Sequence, residues 1–240
     1  MKSDIKEIWN KSEWTVQARQ IVNALKDFPN DSKTIIILRH SHRENTNDIE
    51  KMTRLGLTSQ GKKIAEIFGN NIPEKYFIRL FFSVVPRCMK TAECILRGFK
   101  KKKGGGIIMG AYKPLYDLKS KKNYVTEQAF KYPGPRFIDQ WAAGLFPYDS
   151  IIPFINYCQD AAKKIWNKIE KKSSNKIDIH ITHDLMILGL RLGWFGISPY
   201  KNWVDYLSGF AFSFQEDQIL LYNNGKFSSV EIPYWYDYKL

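Results

Sequence analysis

Cysteine and long hydrophobic runs are the two features that this sequence has least of. Its 240 residues include three cysteines, Cys88, Cys94 and Cys158, an odd number without the spacing of metal ligands. A disulfide framework and a zinc site are therefore not indicated. No apolar run is long enough to span a bilayer, and the polar first residues lack the hydrophobic region of a secretory signal. We therefore expect a soluble, cytoplasmic protein.

Acidic residues are also scarce relative to basic ones. The chain has 37 Lys and Arg against 24 Asp and Glu, a net charge of +13. Such a charge raises the capture rate of an anionic partner, and charge alone does not choose among nucleic acid, an anionic membrane surface and a phosphorylated small molecule. The lysines are scattered and accompany no recognisable nucleic-acid motif, so we expect neither a nucleic-acid nor a membrane partner.

A glycine-rich nucleotide-binding loop is missing as well. Residues 100–106 combine four lysines with three glycines but lack the Gly-Lys-Ser/Thr ending of such a loop. The hydrophobic share of 44% and the charged share of 25% are ordinary globular values. The length suits one large domain, or one domain with an insertion.

The most informative stretch of the chain is Thr34 to Arg43. It begins with four apolar residues, a run typical of a strand that is buried on both faces. It then ends abruptly in Arg39, His40, His42 and Arg43. Ligands of open α/β sheets bind outside the carboxyl ends of the strands. Guanidinium groups bind phosphoryl oxygens and an imidazole can attack phosphorus, so the cluster suits phosphate chemistry. Taken alone, it fits a basic surface loop about as well.

Two further strands are predicted to lead into residues with catalytic or phosphate-binding side chains. Residues 76–85 form an apolar run, and Pro86 places Arg87 at the start of a helix, where an anion is favoured. Residues 177–182 alternate in polarity and lead to His183 and Asp184. His183 can donate to a phosphoryl oxygen, and Asp184 can protonate a leaving oxygen. Each of these residues also has an ordinary structural interpretation. Arg87 would be a solvated arginine, His183 a core histidine and Asp184 a helix N-cap.

The rest of the chain is predicted to frame these strands. Residues 1–30 are interpreted as a helical extension that packs on the domain formed by residues 31–240. Within that domain, residues 112–150 are irregular and aromatic, as in a cap over a binding site. Asp139, Gln140 and Trp141 could face the ligand there, although the core of the cap explains Trp141 equally well. Thr58 is a candidate N-cap, residues 152–170 are predicted to be helical, and strands close the chain.

Together these motifs resemble the histidine phosphatase superfamily, which has the phosphoglycerate mutase-like fold. The resemblance covers roughly residues 34–232. The pair His183-Asp184 resembles the corresponding pair of the acid phosphatase and phytase branch of the superfamily. The residues that carry it are Leu38-Arg-His-Ser-His-Arg43, Leu57-Thr-Ser-Gln-Gly61, Ser83-Val-Val-Pro-Arg-Cys-Met-Lys-Thr-Ala92, Ile181-Thr-His-Asp184 and, more weakly, Trp203-Val-Asp-Tyr-Leu-Ser-Gly209.

The resemblance implies a fold and a role for each site residue. The fold is α/β, with a mixed, mostly parallel sheet flanked by helices and an irregular cap insertion. His40 is implied to be the nucleophile and Asp184 the proton donor, with Asp139 of the cap as the alternative donor. Catalysis is implied to involve Arg39 and His183 as well, and no metal or cofactor. The residues implied to bind the substrate phosphate are Arg39, Arg43, Arg87 and His183.

The sequence departs from the family pattern in places. Ser41 stands where glycine is most common, His42 and Glu44 are not shared, and the cap at 112–150 matches nothing assignable.

The resemblance as a whole implies a metal-independent phosphomonoesterase that acts through a phosphohistidine on a small anionic ester, such as a sugar, inositol or nucleotide phosphate. The alternatives are a phosphomutase of the same fold and a non-catalytic module that binds phosphate or RNA.

Overall fold

The computed structural model of the chain describes residues 5–30, 32–44, 46, 54–166 and 175–236. Its helices are α1 (Ile5–Lys11), α2 (Val16–Ala24), α3 (Ser59–Asn71), α4 (Pro86–Lys100), α5 (Tyr124–Lys131), α6 (Pro135–Ala142), α7 (Phe154–Trp166) and α8 (Asp184–Phe195). Its strands are β1 (Thr34–Arg39), β2 (Phe77–Phe82), β3 (Gly105–Ala111), β4 (Lys176–Thr182), β5 (Gly209–Phe214), β6 (Gln218–Asn223) and β7 (Lys226–Glu231).

All seven of these strands form one sheet, in the order β3-β2-β4-β1-β5-β6-β7. The neighbours β3, β2, β4 and β1 pair in parallel, whereas β5, β6 and β7 are joined by antiparallel pairs. The predicted mixed sheet is therefore confirmed. β1 is buried along its whole length, because it lies at the centre of the sheet and has helices on both faces.

Alternate side chains of β1 pack against different helical layers. Ile35 and Ile37 belong to a core that includes residues of α6, α7 and α8. Ile36 and Leu38 belong to a second core, built with α1, α2, α3 and α4. The amphipathic helices predicted near the amino terminus are thus part of the helical layer on this second face. The result is a three-layer α/β/α arrangement with the sheet in the middle.

The carboxyl ends of β1, β2 and β4 meet at one edge of the sheet, because these neighbouring strands run parallel. Arg39 is in register with Thr182, and Phe82 is in register with Ile181. Backbone hydrogen bonds continue past the strands, since the amide of His40 donates to the carbonyl of Thr182 over 3.0 Å. The three strand ends at which the sequence predicts site residues, those of β1, β2 and β4, are therefore neighbours.

The predicted cap contributes two short helices, α5 and α6, with different surroundings. Phe137, Ile138 and Trp141 of α6 are buried in the core against α7 and α8. The indole of Trp141 donates to the carbonyl of Ile152 over 2.7 Å, so this side chain belongs to the core. The side chains of α5 are half-buried or exposed.

Some predicted boundaries differ from the structure. α7 begins later than predicted because Pro153 precedes the helix, where its carbonyl accepts a hydrogen bond from the amide of Tyr157 over 3.0 Å. The predicted end of this helix at Glu170 lies outside the described residues. None of the helices in the described ranges has the length and hydropathy needed to cross a membrane.

One buried charge helps to hold the sheet together. Asp178 of β4 is fully buried, and its carboxylate accepts hydrogen bonds of 2.7 and 2.9 Å from Arg79 of β2. The ammonium group of Lys33, just before β1, lies 3.0 Å from the same carboxylate. A buried carboxylate is tolerated only when it is paired in this way, so the cluster ties three strands to one another.

Candidate active site

His40, the first residue after β1, lies at the centre of the candidate site and is 2% exposed. Its Nδ1 lies 2.8 Å from the carbonyl oxygen of Ser41, which can only accept, so Nδ1 carries the proton. Nε2 accepts a hydrogen bond of 2.9 Å from Nε of Arg87. Burial, followed by the charges of His183, Arg87 and Arg39, lowers the pKa of His40 well below its usual value. The imidazole is therefore neutral, and its lone pair faces an arginine.

Arg87 connects the two histidines of the site. It lies in the first turn of α4 directly after Pro86, as predicted. Its Nη2 lies 3.2 Å from Nδ1 of His183, and Nε2 of His183 lies 3.2 Å from the hydroxyl of Ser83. Because a guanidinium can only donate, Nδ1 of His183 accepts and Nε2 carries the proton. Burial and then the charge of Arg87 lower the pKa of His183 to about 3, so both imidazoles are neutral at physiological pH.

Arg39 and Asp184 form an ion pair beside the histidines. Nη2 of Arg39 lies 2.6 Å from Oδ2 of Asp184, and Nη1 donates to the carbonyl of Val204 over 2.8 Å. Nε of Arg39 is buried and has no hydrogen-bond partner among the described residues. A buried donor without a partner is costly, and a phosphoryl oxygen would satisfy it.

Asp184 occupies the first turn of α8, where a carboxylate is favoured by the helix dipole. Its Oδ1 accepts a hydrogen bond of 2.8 Å from the amide of Leu185. His183, in extended conformation, is the N-cap residue of this helix, so Asp184 is not an N-cap. The carboxylate is instead turned toward Arg39, at the same edge as His40.

Arg43 is the predicted phosphate ligand with the weakest structural link to the site. Its Nη1 donates to the carbonyl of Glu44 over 2.7 Å, and its backbone forms a bridge with Leu57. Burial is the main cause that lowers the pKa of Arg87, and the positive charge of Arg43 lowers this pKa further. Arg43 therefore lies within electrostatic reach of the site, while its guanidinium is turned to its own loop.

The two carboxyls considered as proton donors lie in different places. Asp184 lines a cavity of about 560 Å³ beside the site, together with Arg87 and His183. Asp139 of α6 accepts a hydrogen bond from the hydroxyl of Tyr200 and is not part of that lining. The geometry thus favours Asp184 over Asp139.

Sequence reasoning did not single out Tyr206 as a site residue. Its ring centre lies 4.4 Å from the guanidinium carbon of Arg39, 5.8 Å from the ring centre of His40 and 5.1 Å from that of His42. A cation over an aromatic face is stabilised by the electrons of the ring, so Tyr206 helps to fix Arg39. The only sequence signal was its position in the weak motif before β5.

The loop that carries His40 rests on α3. The hydroxyl of Ser41 donates to the carbonyl of Gly61 over 2.7 Å, so this departure from glycine directs its side chain toward α3. A Cβ on Gly61 would lie 2.1 Å from the carbonyl oxygen of His42. Thr58 caps α3 as predicted, with its hydroxyl accepting from the amide of Gly61 over 2.9 Å. The motif at 57–61 therefore supports the loop that carries His40.

The arrangement of the site is suited to phosphate chemistry. Arginines surround a neutral imidazole, and a carboxylate lies within 2.6 Å of one of them. In the ranges that the structure describes, no group of three or more His, Cys, Asp or Glu side chains could hold a metal ion. The residues present suit attack on phosphorus by nitrogen, with charge neutralised by guanidinium groups.

The chain is similar to several solved structures, although no protein-family model and no curated protein sequence matches it. A phosphoglycerate mutase from Bacillus anthracis has a TM-score of 0.53 and 16% identity, over 85% of this chain and 93% of that one. A phosphoserine phosphatase from Entamoeba histolytica has a TM-score of 0.51 and 17% identity, over 82% of this chain and 98% of that one. Mycobacterial hydrolase 2 has a TM-score of 0.53 and 11% identity, over 85% and 94%.

These likenesses show the fold. The chain has the phosphoglycerate mutase-like fold, which confirms the architecture implied by the resemblance to the histidine phosphatase superfamily. The assignment to the acid phosphatase and phytase branch stays a prediction, as do the roles of the individual site residues.

Proposed function

We propose that this protein is a metal-independent phosphomonoesterase that works through a phosphohistidine on His40. The observation that carries the proposal is the neutral, buried imidazole of His40, whose Nε2 faces Arg87 over 2.9 Å. Arg39, His183 and Asp184 complete the surroundings through direct contacts. The fold shared with a phosphoserine phosphatase supports the same class of reaction.

Substrate binding would free the nucleophile. Without an anion, the N–H groups of Arg87 donate to the imidazoles of His40 and His183. A phosphate dianion is a stronger acceptor than a neutral imidazole, because charge-assisted hydrogen bonds are stronger. The guanidinium of Arg87 would therefore turn to the phosphoryl oxygens and leave the lone pair of His40 Nε2 available. The unpartnered Nε of Arg39 adds a second donor.

The reaction would then proceed in two displacements. In the first, Arg39 turns from the carboxylate of Asp184 to the phosphoryl oxygens, and the carboxylate takes the proton of the phosphate monoanion. His40 Nε2 then bonds to phosphorus as the ester P–O bond breaks, and Asp184 gives this proton to the leaving oxygen. The hydrogen bond from Nδ1 to the carbonyl of Ser41 supports the positive charge on the ring. In the second, Asp184 takes a proton from water, the water oxygen bonds to phosphorus, and the electron pair of the P–N bond returns to His40. The arginines neutralise charge on the equatorial oxygens throughout.

A phosphomutase is the second candidate, because a phosphoglycerate mutase shares the fold. Its first step would be the same, but the phosphoryl group would pass to a substrate hydroxyl instead of water. The aspartate that follows His183 counts against this alternative. A non-catalytic module is a weaker candidate, because a neutral imidazole, a carboxylate and the guanidinium groups of Arg39 and Arg87 lie together at one edge of the sheet.

The proposal is tested by phosphate release from an aryl phosphate, measured from acid to neutral pH with EDTA present. His40→Asn is the informative variant, since its amide can still donate to the carbonyl of Ser41 but offers no nucleophile. His42→Asn is the matched control, because His42 Nδ1 contacts Thr58 at 2.9 Å, on the loop beside the site. We expect release by the wild type and by the control, and loss of release in His40→Asn with the fold retained by circular dichroism.

Four outcomes would contradict the proposal. Turnover that survives in His40→Asn would exclude this nucleophile, and turnover abolished by EDTA would point to metal catalysis. Transfer of phosphate between phosphoglycerate isomers without release would favour a mutase. Strongly salt-dependent RNA binding without any phosphate release would favour the binding module.

A further inference from the structure

The cavity of about 560 Å³ beside the candidate nucleophile joins two kinds of surface. Arg87, Asp184 and the neutral imidazole of His183 form its charged and polar end, and they are residues of the phosphate site itself. Most of the remaining lining is apolar, with Val84 and Val85 before α4 on one side and Val125, Ala129 and Phe130 of α5 on the other. The volume falls within the range of about 300–1,000 Å³ that small-molecule sites have. A phosphate held by the arginines would therefore extend its alcohol group into an apolar space.

The lining of this cavity is poor in basic residues, although the protein as a whole has many more basic than acidic residues. Of the described residues that form the cavity wall, Arg87 is the only Lys or Arg. Apart from the charged end, its polar side chains are hydroxyls, those of Ser83, Tyr116, Ser120 and Thr126. A sugar, an inositol or a nucleotide carries more hydroxyl, amide or phosphate groups than this wall can satisfy. Burying such groups without partners costs binding energy, so the wall selects against them.

Several apolar side chains of the wall are also exposed to an unusual degree. Val84 is 54% exposed and Phe130 is 47% exposed, and both line the cavity, Val84 from the segment before α4 and Phe130 from the end of α5. Exposed apolar side chains gathered at one concave place mark a ligand site more often than a free surface. A hydrocarbon group of the substrate would cover them.

We infer that the substrate is a phosphate monoester of an apolar alcohol, aryl or short alkyl, whose hydrocarbon part fills the cavity between α4 and α5. The inference rests on the proposed phosphatase activity and specifies its substrate class. The net charge of +13 then serves to attract the phosphate group at long range, while the cap selects the alcohol by its apolar surface.

The first test is a series of unbranched alkyl phosphates from ethyl to hexyl, with glycerol phosphate as the polar counterpart of propyl phosphate. The leaving groups of the alkyl series have nearly the same basicity, so differences in kcat/KM report burial of the chain. We expect kcat/KM to rise about fourfold for each methylene until the cavity is filled. We also expect propyl phosphate to be hydrolysed faster than glycerol phosphate.

A pair of matched variants tests whether this cavity is responsible. Ala129→Leu fills part of the wall, whereas Ala142→Leu places the same side chain on the exposed last residue of α6. We expect Ala129→Leu to lower kcat/KM for hexyl phosphate about tenfold or more and to leave ethyl phosphate nearly unchanged. Ala142→Leu should change neither value, and melting temperatures would show that both variants fold.

The outcomes separate this inference from the proposed function. Hydrolysis of ethyl phosphate without any gain along the series, or a preference for glycerol phosphate over propyl phosphate, would overturn the inference and leave the phosphatase intact. Equal loss of both esters in Ala129→Leu would likewise overturn it. Failure to hydrolyse any ester, with the fold intact, would overturn the proposed function and the inference together.

Discussion

Replacing Asp184 by asparagine tests the proton donor, because the effect should depend on the leaving group. An alkoxide leaves only when it is protonated, whereas para-nitrophenolate leaves without a proton. General acid catalysis contributes about 10²–10⁴-fold to such steps. We therefore expect Asp184→Asn to slow the first displacement, measured as alcohol release in a single turnover, about 10²–10⁴-fold for butyl phosphate and less than about tenfold for para-nitrophenyl phosphate.

The structure also sets the expected cost in stability. The side chains of Arg39 and Asp184 are 11% and 25% exposed, so their ion pair lies between a surface pair and a buried pair. Surface pairs contribute about 0.2–1 kcal/mol, and breaking a buried pair costs about 3–5 kcal/mol. The asparagine oxygen can still accept from the amide of Leu185, as Oδ1 of Asp184 does over 2.8 Å. We expect Asp184→Asn to lose about 1–2 kcal/mol of unfolding free energy, too little to unfold a typical domain.

The assay compares single-turnover rates on both esters for wild type, Asp184→Asn and Asp139→Asn. Asp139→Asn is the control, because Asp139 was the alternative donor and contacts Tyr200 instead of the cavity. It should behave like the wild type on both esters. Equal losses on the two esters in Asp184→Asn would refute the assignment of Asp184 as the acid. A leaving-group-dependent loss in Asp139→Asn alone would transfer the role to the cap.

Three further predictions concern the support of the site and its pH dependence. Gly61→Ala should reduce kcat about tenfold or more, since its Cβ would lie 2.1 Å from the carbonyl oxygen of His42. Gly56→Ala should leave kcat unchanged, because no atom lies within 4 Å of a Cβ built there. Steady-state kinetics of the two variants would check this. Unfolding free energy should fall as pH drops below about 6.5, by about 1.4 kcal/mol per pH unit for His40, because His40 in the unfolded chain binds a proton there and the folded one, with its lowered pKa, does not. Urea titrations should show a shallower fall in His40→Asn, and an identical fall would contradict this. Asp178→Asn should destabilise the protein by about 3 kcal/mol, seen as a lower melting temperature, because the carboxylate charge facing two buried or half-buried cations is lost.

The parts of the site that sequence could predict are those set by local rules. The apolar run of β1 marks a buried strand, so Arg39 and His40 had to emerge at its carboxyl end. Pro86 is favoured in a first helical turn, which placed Arg87 correctly at the start of α4. Because parallel strands align their carboxyl ends, three separate motifs could be expected at one edge.

The parts that sequence could not predict depend on packing between distant segments. Tyr206 reaches Arg39 across the fold, and no local pattern specifies that contact. Asp139 was a reasonable candidate because it lies in the cap, but the orientation of α6 turns it toward Tyr200. Net charge led us to expect a small anionic ester, but packing decides which of the 37 basic residues face the cavity, and among its described lining residues only Arg87 is basic.

The most direct test of the central claim is to trap the phosphoenzyme. Wild-type protein would be mixed rapidly with radiolabelled aryl phosphate and quenched in alkali, in which phosphohistidine survives, before peptide mapping. We predict label on the peptide that contains His40, and none in His40→Asn. Label on a peptide without His40, or turnover with no labelled protein, would contradict the proposed mechanism.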